Sequence, residues 1–162
     1  MSYVTERIDG IGQPRVEVPP AGFMKDKGPG DLMWEVIDTR MTPPVTGKIG
    51  NTELQLDRAY KAIAGMTDRP VKIGSISAQI LALMLTDEHY KSRLDLLFDL
   101  STALNKEYHA LADAGAPLVQ IEEPAIHQVI ADPKQTIKPE QWVAAFNVEI
   151  KGLRDKCEVW CH

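Results

Sequence analysis

From residue 43 onward the chain alternates between short β-branched runs and longer amphipathic stretches, and this alternation constrains its fold more than any other feature. "PPVTGKI", "RPVKIGS", "APLVQI" and "CEVWCH" read as strands. The stretches between them carry apolar residues at spacings of three and four. "NTELQLDRAYKAIAG" has a Thr52-to-Gln55 capping box, a face of Leu56, Ala59, Tyr60 and Ile63, and a stop at Gly65. "SAQILALML" is a short helix capped by Ser77. A long helix of about seven turns is expected from a capping Thr86 to a terminating Gly115, with Tyr90, Leu94, Leu97, Leu104, Tyr108 and Leu111 facing inward. The last helix opens with Pro139 at its first position and aligns Trp142, Phe146, Ile150 and Leu153.

The resulting order, β-α-β-α-β-α-β, implies an α/β fold of parallel strands joined by crossovers. Residues 1–50 are less regular: they are rich in Pro and Gly and read as strands and loops, with "PRVEV" and "LMWEVIDTR" as candidate strands and Gly47 as a point of close backbone approach. At 162 residues one domain, 1–162, is expected. On length alone an open doubly wound sheet is favoured over a (β/α)8 barrel, which needs roughly 250 residues. However, "GKIGN" lacks the spacing of a phosphate-binding glycine turn.

Several classes of function are disfavoured by composition. A net charge of −5 without a basic stripe argues against nucleic acid. No apolar run reaches the roughly 18 residues of a membrane span, and the first ten residues do not resemble a signal peptide, so a cytoplasmic location is expected. Cys157 and Cys161 would stand roughly 13 Å apart on one strand, too far for a disulfide.

In parallel α/β folds, ligands gather at the C-terminal ends of strands. Four places qualify: Thr46 to Lys48, Gly74 to Ser77, Gln120 to Glu123, and His162. Glu122 and Glu123 run directly into Pro124, which ends the strand. As neighbours they face opposite ways unless the strand stops between them. A carboxylate there can accept a hydrogen bond from a substrate amine; a solvated loop is the bland alternative. His162 with the cysteines suggests a metal, yet Cys161 and His162 would point to opposite faces and are not expected to share an ion. His89 and His109 are expected on the surface of the long helix, whereas His127 follows the glutamates and could reach the site. No Ser-His-Asp arrangement, P-loop or nucleotide fingerprint is present.

"AGAPLVQIEEPAI" with the long helix before it, "PPVTGKI" followed by "RPVKIGSISAQ", and a strand ending "EVWCH" together resemble the catalytic barrel of cobalamin-independent methionine synthase and its single-domain relatives. That resemblance implies a (β/α)8 barrel in which zinc activates the thiol of homocysteine to attack a methyl donor, usually a methylated folate. It places Glu122 at the residue that binds the amino group of the thiol substrate and His162 at the first zinc ligand; Ser77, at the end of another nominated strand, is a further candidate substrate contact. The family usually has Asp where Glu122 stands, so other thiols remain open as substrates. The family's zinc is completed by a Cys two residues after this His and by a later Glu and Cys. The chain therefore reads as a partial barrel carrying one metal ligand. It is expected to lack activity alone, to hold little zinc, and to form a homodimer or higher oligomer through exposed strand edges. The alternatives are another thiol alkyltransferase or lyase of the same barrel superfamily, or a non-catalytic, oligomeric α/β binding protein.

Overall fold

The computed structural model describes residues 2–12, 43–123 and 136–162. The candidate strands "PRVEV" and "LMWEVIDTR", together with Pro124 and His127, lie outside these residues.

Among the described residues eleven elements follow one another: helix α1 (Ser2–Thr5), β1 (Pro44–Val45), α2 (Leu56–Ala64), β2 (Ile73–Ile76), α3 (Ala78–Met84), β3 (Thr86–Asp87), α4 (Arg93–Asp113), β4 (Leu118–Glu122), α5 (Pro139–Glu149), a 3-10 turn (Leu153–Asp155) and β5 (Glu158–Cys161). Among the described residues the named strands pair only in parallel, as the alternation predicts, and two isolated antiparallel bridges join Ile8 to Thr52 and Ile11 to Val45. A three-stranded sheet has the order β2-β4-β5, and β1 pairs separately with β3. Among the described residues β1 pairs with β3 and not with β2, β4 or β5. Instead Thr46 and Gly47 donate their N–H groups to the Gly10 carbonyl at 2.9 and 3.1 Å. Gly10 sits at φ 92°, and a Cβ there would collide with the Lys48 backbone.

Among the described residues the helices cover one face of the sheet and leave the other uncovered. α4 packs against α2, α3 and α5, and its inward residues Leu97, Leu104, Tyr108 and Leu111 are fully buried with Val119 and Ile121 from β4 and Trp142 from α5. The expected stripe of the last helix is largely realised, although α5 ends at Glu149 and Leu153 falls in the 3-10 turn: Trp142, Ile150 and Leu153 are buried, and Phe146 packs against the same core. Among the described residues no helix is long and apolar enough to cross a membrane.

Two helix starts differ from the sequence reading, for the same physical reason. Thr52 caps nothing. It forms an antiparallel bridge with Ile8 and donates its hydroxyl to the Ala103 carbonyl at 3.3 Å. Leu54 is thereby drawn into the core with no exposure, and α2 begins only after Gln55, held at φ 56°. On that helix Ile63 is 46% exposed, so the expected apolar face is only partly used. Thr86 belongs to β3 rather than to a cap. Asp87 accepts N–H groups from His89 and Tyr90 at 3.0 and 2.8 Å, closing a turn. α4 then starts at Arg93, whose side chain donates to the Ala82 and Leu85 carbonyls at 2.8 and 2.9 Å, at the end of α3. His89 therefore lies in a loop rather than on the long helix. In both cases tertiary pairing outweighs a local capping signal.

Candidate active site

The site is built by strand register. Ile73, Val119 and Val159 are partners across the sheet, as are Ser75, Ile121 and Cys161. Register partners share a face, and Val119 and Ile121 are buried with the helices. Gly74, Gln120 and Trp160 form the row between them and face the other way. Beyond β5 the ladder continues: the His162 N–H donates to the Ile121 carbonyl at 2.9 Å, and the Glu123 N–H donates to the His162 carbonyl at 2.5 Å. Glu122 and His162 thus become lateral neighbours on the uncovered face, at the C-terminal ends of adjacent parallel strands.

Their side chains meet. His162 Nδ1 stands 2.8 Å from Glu122 Oε2, while the Gln120 side-chain amide donates to Glu122 Oε1. The Gln120 donor, and after it His162, hold the Glu122 carboxyl below its ordinary range. Lys72 donates to Gln120 Oε1 and lies 5.0 Å from the centroid of the Trp160 ring. Gly74 leaves room for this arrangement, since a Cβ there would stand 3.2 Å from Glu122 Oε1.

Glu123 turns to the opposite, buried side. Its carboxylate accepts the Ser77 hydroxyl, and Ser77 Oγ in turn accepts the Ile80 N–H at 3.1 Å as the cap of α3. The Ser77 N–H also donates to the Glu122 carbonyl at 3.1 Å, which ties the ends of β2 and β4 together. Glu149, from α5, lies in the same interior. It accepts Ala78 N–H at 3.1 Å and Tyr108 O–H at 3.2 Å through Oε1, and its Oε2 is buried without a hydrogen-bond partner among the described residues. Burial pushes its carboxyl up to about 8, with the nearby Glu123 charge adding to the effect. Glu149 therefore carries its proton at neutral pH. The Tyr108 hydroxyl, fully buried beside it, is likewise raised.

Three of the four nominated strand ends converge here: Gly74 to Ser77, Gln120 to Glu123, and His162. Thr46 to Lys48 follow β1 and belong to the other strand pair. Ser77 stands at the strand ends, but its hydroxyl is buried and engaged with Glu123 and Ile80. Cys161 is on the helix-side row, away from His162. Burial and three nearby carboxylates raise its thiol above the ordinary value, which disfavours thiolate. Among the described residues no group of three or more His, Cys, Asp or Glu is placed to hold a metal ion. His162 supplies one candidate ligand, so these residues do not make a zinc site by themselves.

Two contributors escaped the sequence reading. Lys72 stands two residues before Gly74 and hence on its side of the strand, a period-two signal that was available. Glu149 lies seven residues after Trp142, on the buried stripe, where an acidic residue is itself a signal.

This geometry can be set beside known proteins. The catalytic-domain model of the cobalamin-independent synthase family matches residues 33–162. Methionine synthases from Saccharolobus solfataricus and Sulfolobus acidocaldarius are 33% and 31% identical over 117 and 115 residues, each match covering 70% of this chain. The chain spans only about a third of the length of these relatives (33% and 32%). Among solved structures, a B12-independent methionine synthase from Shewanella sp. W3-18-1 in complex with selenomethionine superposes with a TM-score of 0.69 at 23% identity, over 99% of this chain and 42% of that one. A putative vitamin-B12 independent methionine synthase from Listeria monocytogenes gives 0.69 at 17% identity, over 99% and 44%. These structural likenesses establish a shared α/β fold of parallel strands and helices, similar to that of the B12-independent methionine synthases. Because the family model covers four-fifths of the sequence, the chain belongs to the cobalamin-independent methionine synthase family, within its catalytic domain.

Proposed function

We propose that this chain forms part of a (β/α)8 barrel whose reaction moves a methyl group from a methylated folate or similar donor to the sulfur of a homocysteine-like thiol, in methionine biosynthesis. The observation that carries this reading is the Glu122–His162 pair at the C-terminal ends of β4 and β5, on the uncovered sheet face. Glu122 is the contact for the substrate's ammonium group. Its carboxyl is held in the ionised form, and a carboxylate with one contact on each oxygen keeps further acceptor capacity. Ser77 acts from behind, holding the strand ends in place. Zinc, which supplies thiol activation in the reading by resemblance, would find one ligand in His162 and require the others from residues outside those described. The chain alone is proposed to be inactive.

The test is a calorimetric titration of homocysteine into the protein and its Glu122→Gln variant. A charge-assisted hydrogen bond is worth about 1.5–3 kcal/mol, so affinity should fall about 10-fold or more in the variant. Equal affinity for the two proteins would remove Glu122 from the site. Titration with other thiols bearing an amino group addresses the alternative of a different thiol alkyltransferase.

A further inference from the structure

A continuous row of side chains crosses the uncovered face of the sheet from Lys72, just before β2, through Gln120 and Glu122 on β4, to His162 beyond β5. Each link has a defined polarity. The Lys72 ammonium can only donate, and it donates to Gln120 Oε1. A side-chain amide has one accepting and one donating end, so this contact commits the Gln120 NH2 to the far side, where it donates to Glu122 Oε1. Flipping the amide would set two donors against each other at Lys72 and two oxygens against each other at Glu122. The remaining carboxylate oxygen, Oε2, can only accept, and 2.8 Å away it meets His162 Nδ1. In neutral imidazole one nitrogen carries the proton and the other a lone pair, and the bond made by one nitrogen decides the state of the other. His162 Nε2 has no hydrogen-bond partner among the described residues.

We propose that Lys72 and Gln120 are positioning residues that act through Glu122 to hold neutral His162 as its Nδ1–H tautomer, leaving the Nε2 lone pair open on the uncovered face. The row presents Nε2 as an electron-pair donor toward a hydrogen-bond donor or a cation on that face. This deepens the thiol-methylation reading and gains its catalytic meaning from it, but the tautomer itself requires neither substrate nor metal.

The tautomer can be read directly in the whole chain labelled with 15N-histidine. Long-range 1H–15N correlation spectra would be read under the conditions where they show a singly protonated ring, and His162→Ala assigns the signal. Wild-type His162 should be mainly Nδ1–H. Lys72→Met, which keeps an unbranched side chain without the charged donor, and Gln120→Leu should each move the ratio about threefold or more toward Nε2–H, the scale of one modest hydrogen bond. Glu122→Gln should do the same. Lys72→Arg, which retains a charged donor, should restore the wild-type ratio, an outcome that a merely structural role for Lys72 would not produce. Methyl spectra of each variant report whether the fold is kept. A wild-type His162 found mainly as Nε2–H would overturn the proposal, as would a ratio unmoved by both Lys72→Met and Gln120→Leu. Homocysteine is absent from these samples, so failure here is distinguishable from failure of Glu122 as the amine contact.

Discussion

Replacing Glu149 by Gln should make the protein more stable at neutral pH, although it alters a fully buried, hydrogen-bonded residue. In the folded protein the Glu149 carboxyl has its pKa raised from 4.5 to about 8, chiefly by burial. Folded above unfolded means that this residue's contribution is fully present below pH 4.5 and is lost as pH rises toward 8. Across that window the unfolded chain has released the proton and the folded protein has not. One pH step is worth about 1.4 kcal/mol, so on the order of 3 kcal/mol is forfeited by pH 7 and about 5 kcal/mol by pH 8. The Gln amide cannot ionise. Its oxygen can still accept Ala78 N–H and Tyr108 O–H, and its NH2 would occupy the place of Oε2, which is already without a hydrogen-bond partner. The other shifted groups titrate elsewhere: Glu122 is lowered from 4.5, and Cys157 and Cys161 are raised from 9.0. Urea unfolding of both proteins between pH 5 and 8 therefore isolates Glu149, provided the m-value is unchanged. Wild type should lose stability relative to the variant as pH rises. Parallel pH profiles would refute a protonated Glu149.

Ser77→Ala should cost about 1–3 kcal/mol in the same assay, because it removes both the helix cap and a buried donor to Glu123; a loss below about 0.5 kcal/mol would contradict the structural role given to Ser77. β2 and β5 are the outer strands of the three-stranded sheet, and Trp160 on its uncovered face is 46% exposed. We therefore expect light scattering at micromolar concentration to give the mass of a dimer or larger assembly, and a monomer mass would count against this reading. Metal analysis of the same sample should find less than one zinc per chain.

Interior periodicity was the most legible part of the fold. Leu97, Leu104, Tyr108 and Leu111 repeat at helical spacing and are buried as that spacing requires, and Pro139 marks a helix start in the structure as in the sequence. The boundaries at Thr52 and Thr86 were not legible. Each sits in a sound capping context, and each was claimed by a distant partner: Ile8 and the Ala103 carbonyl for Thr52, Pro44 for Thr86. A local window cannot register such pairings. The same limit applied to the site. Alternation along β4 could say that Glu122 and Glu123 face apart, but not which residue on another strand would lie beside either.

Register answers that question, and it gives the two glutamates different chemistry although one peptide bond separates them. Glu122 falls on the uncovered face, where Gln120 and His162 favour its charge. Glu123 falls on the helix side, 7% exposed and bonded to Ser77, with Glu149 close enough to feel its field. Two charged carboxylates in one apolar interior would repel each other and pay for desolvation twice. A proton held on Glu149 relieves that conflict: the interior needs to accommodate at most one carboxylate charge, and Ser77 donates to the Glu123 carboxyl. The Ser77 N–H also holds the Glu122 carbonyl, so the buried cluster and the exposed pair share a single anchor at the strand ends. A change of protonation at Glu149 would therefore be felt first at Ala78 and Tyr108, and through the Ala78–Ser77 backbone at the strand end that aims Glu122 toward His162.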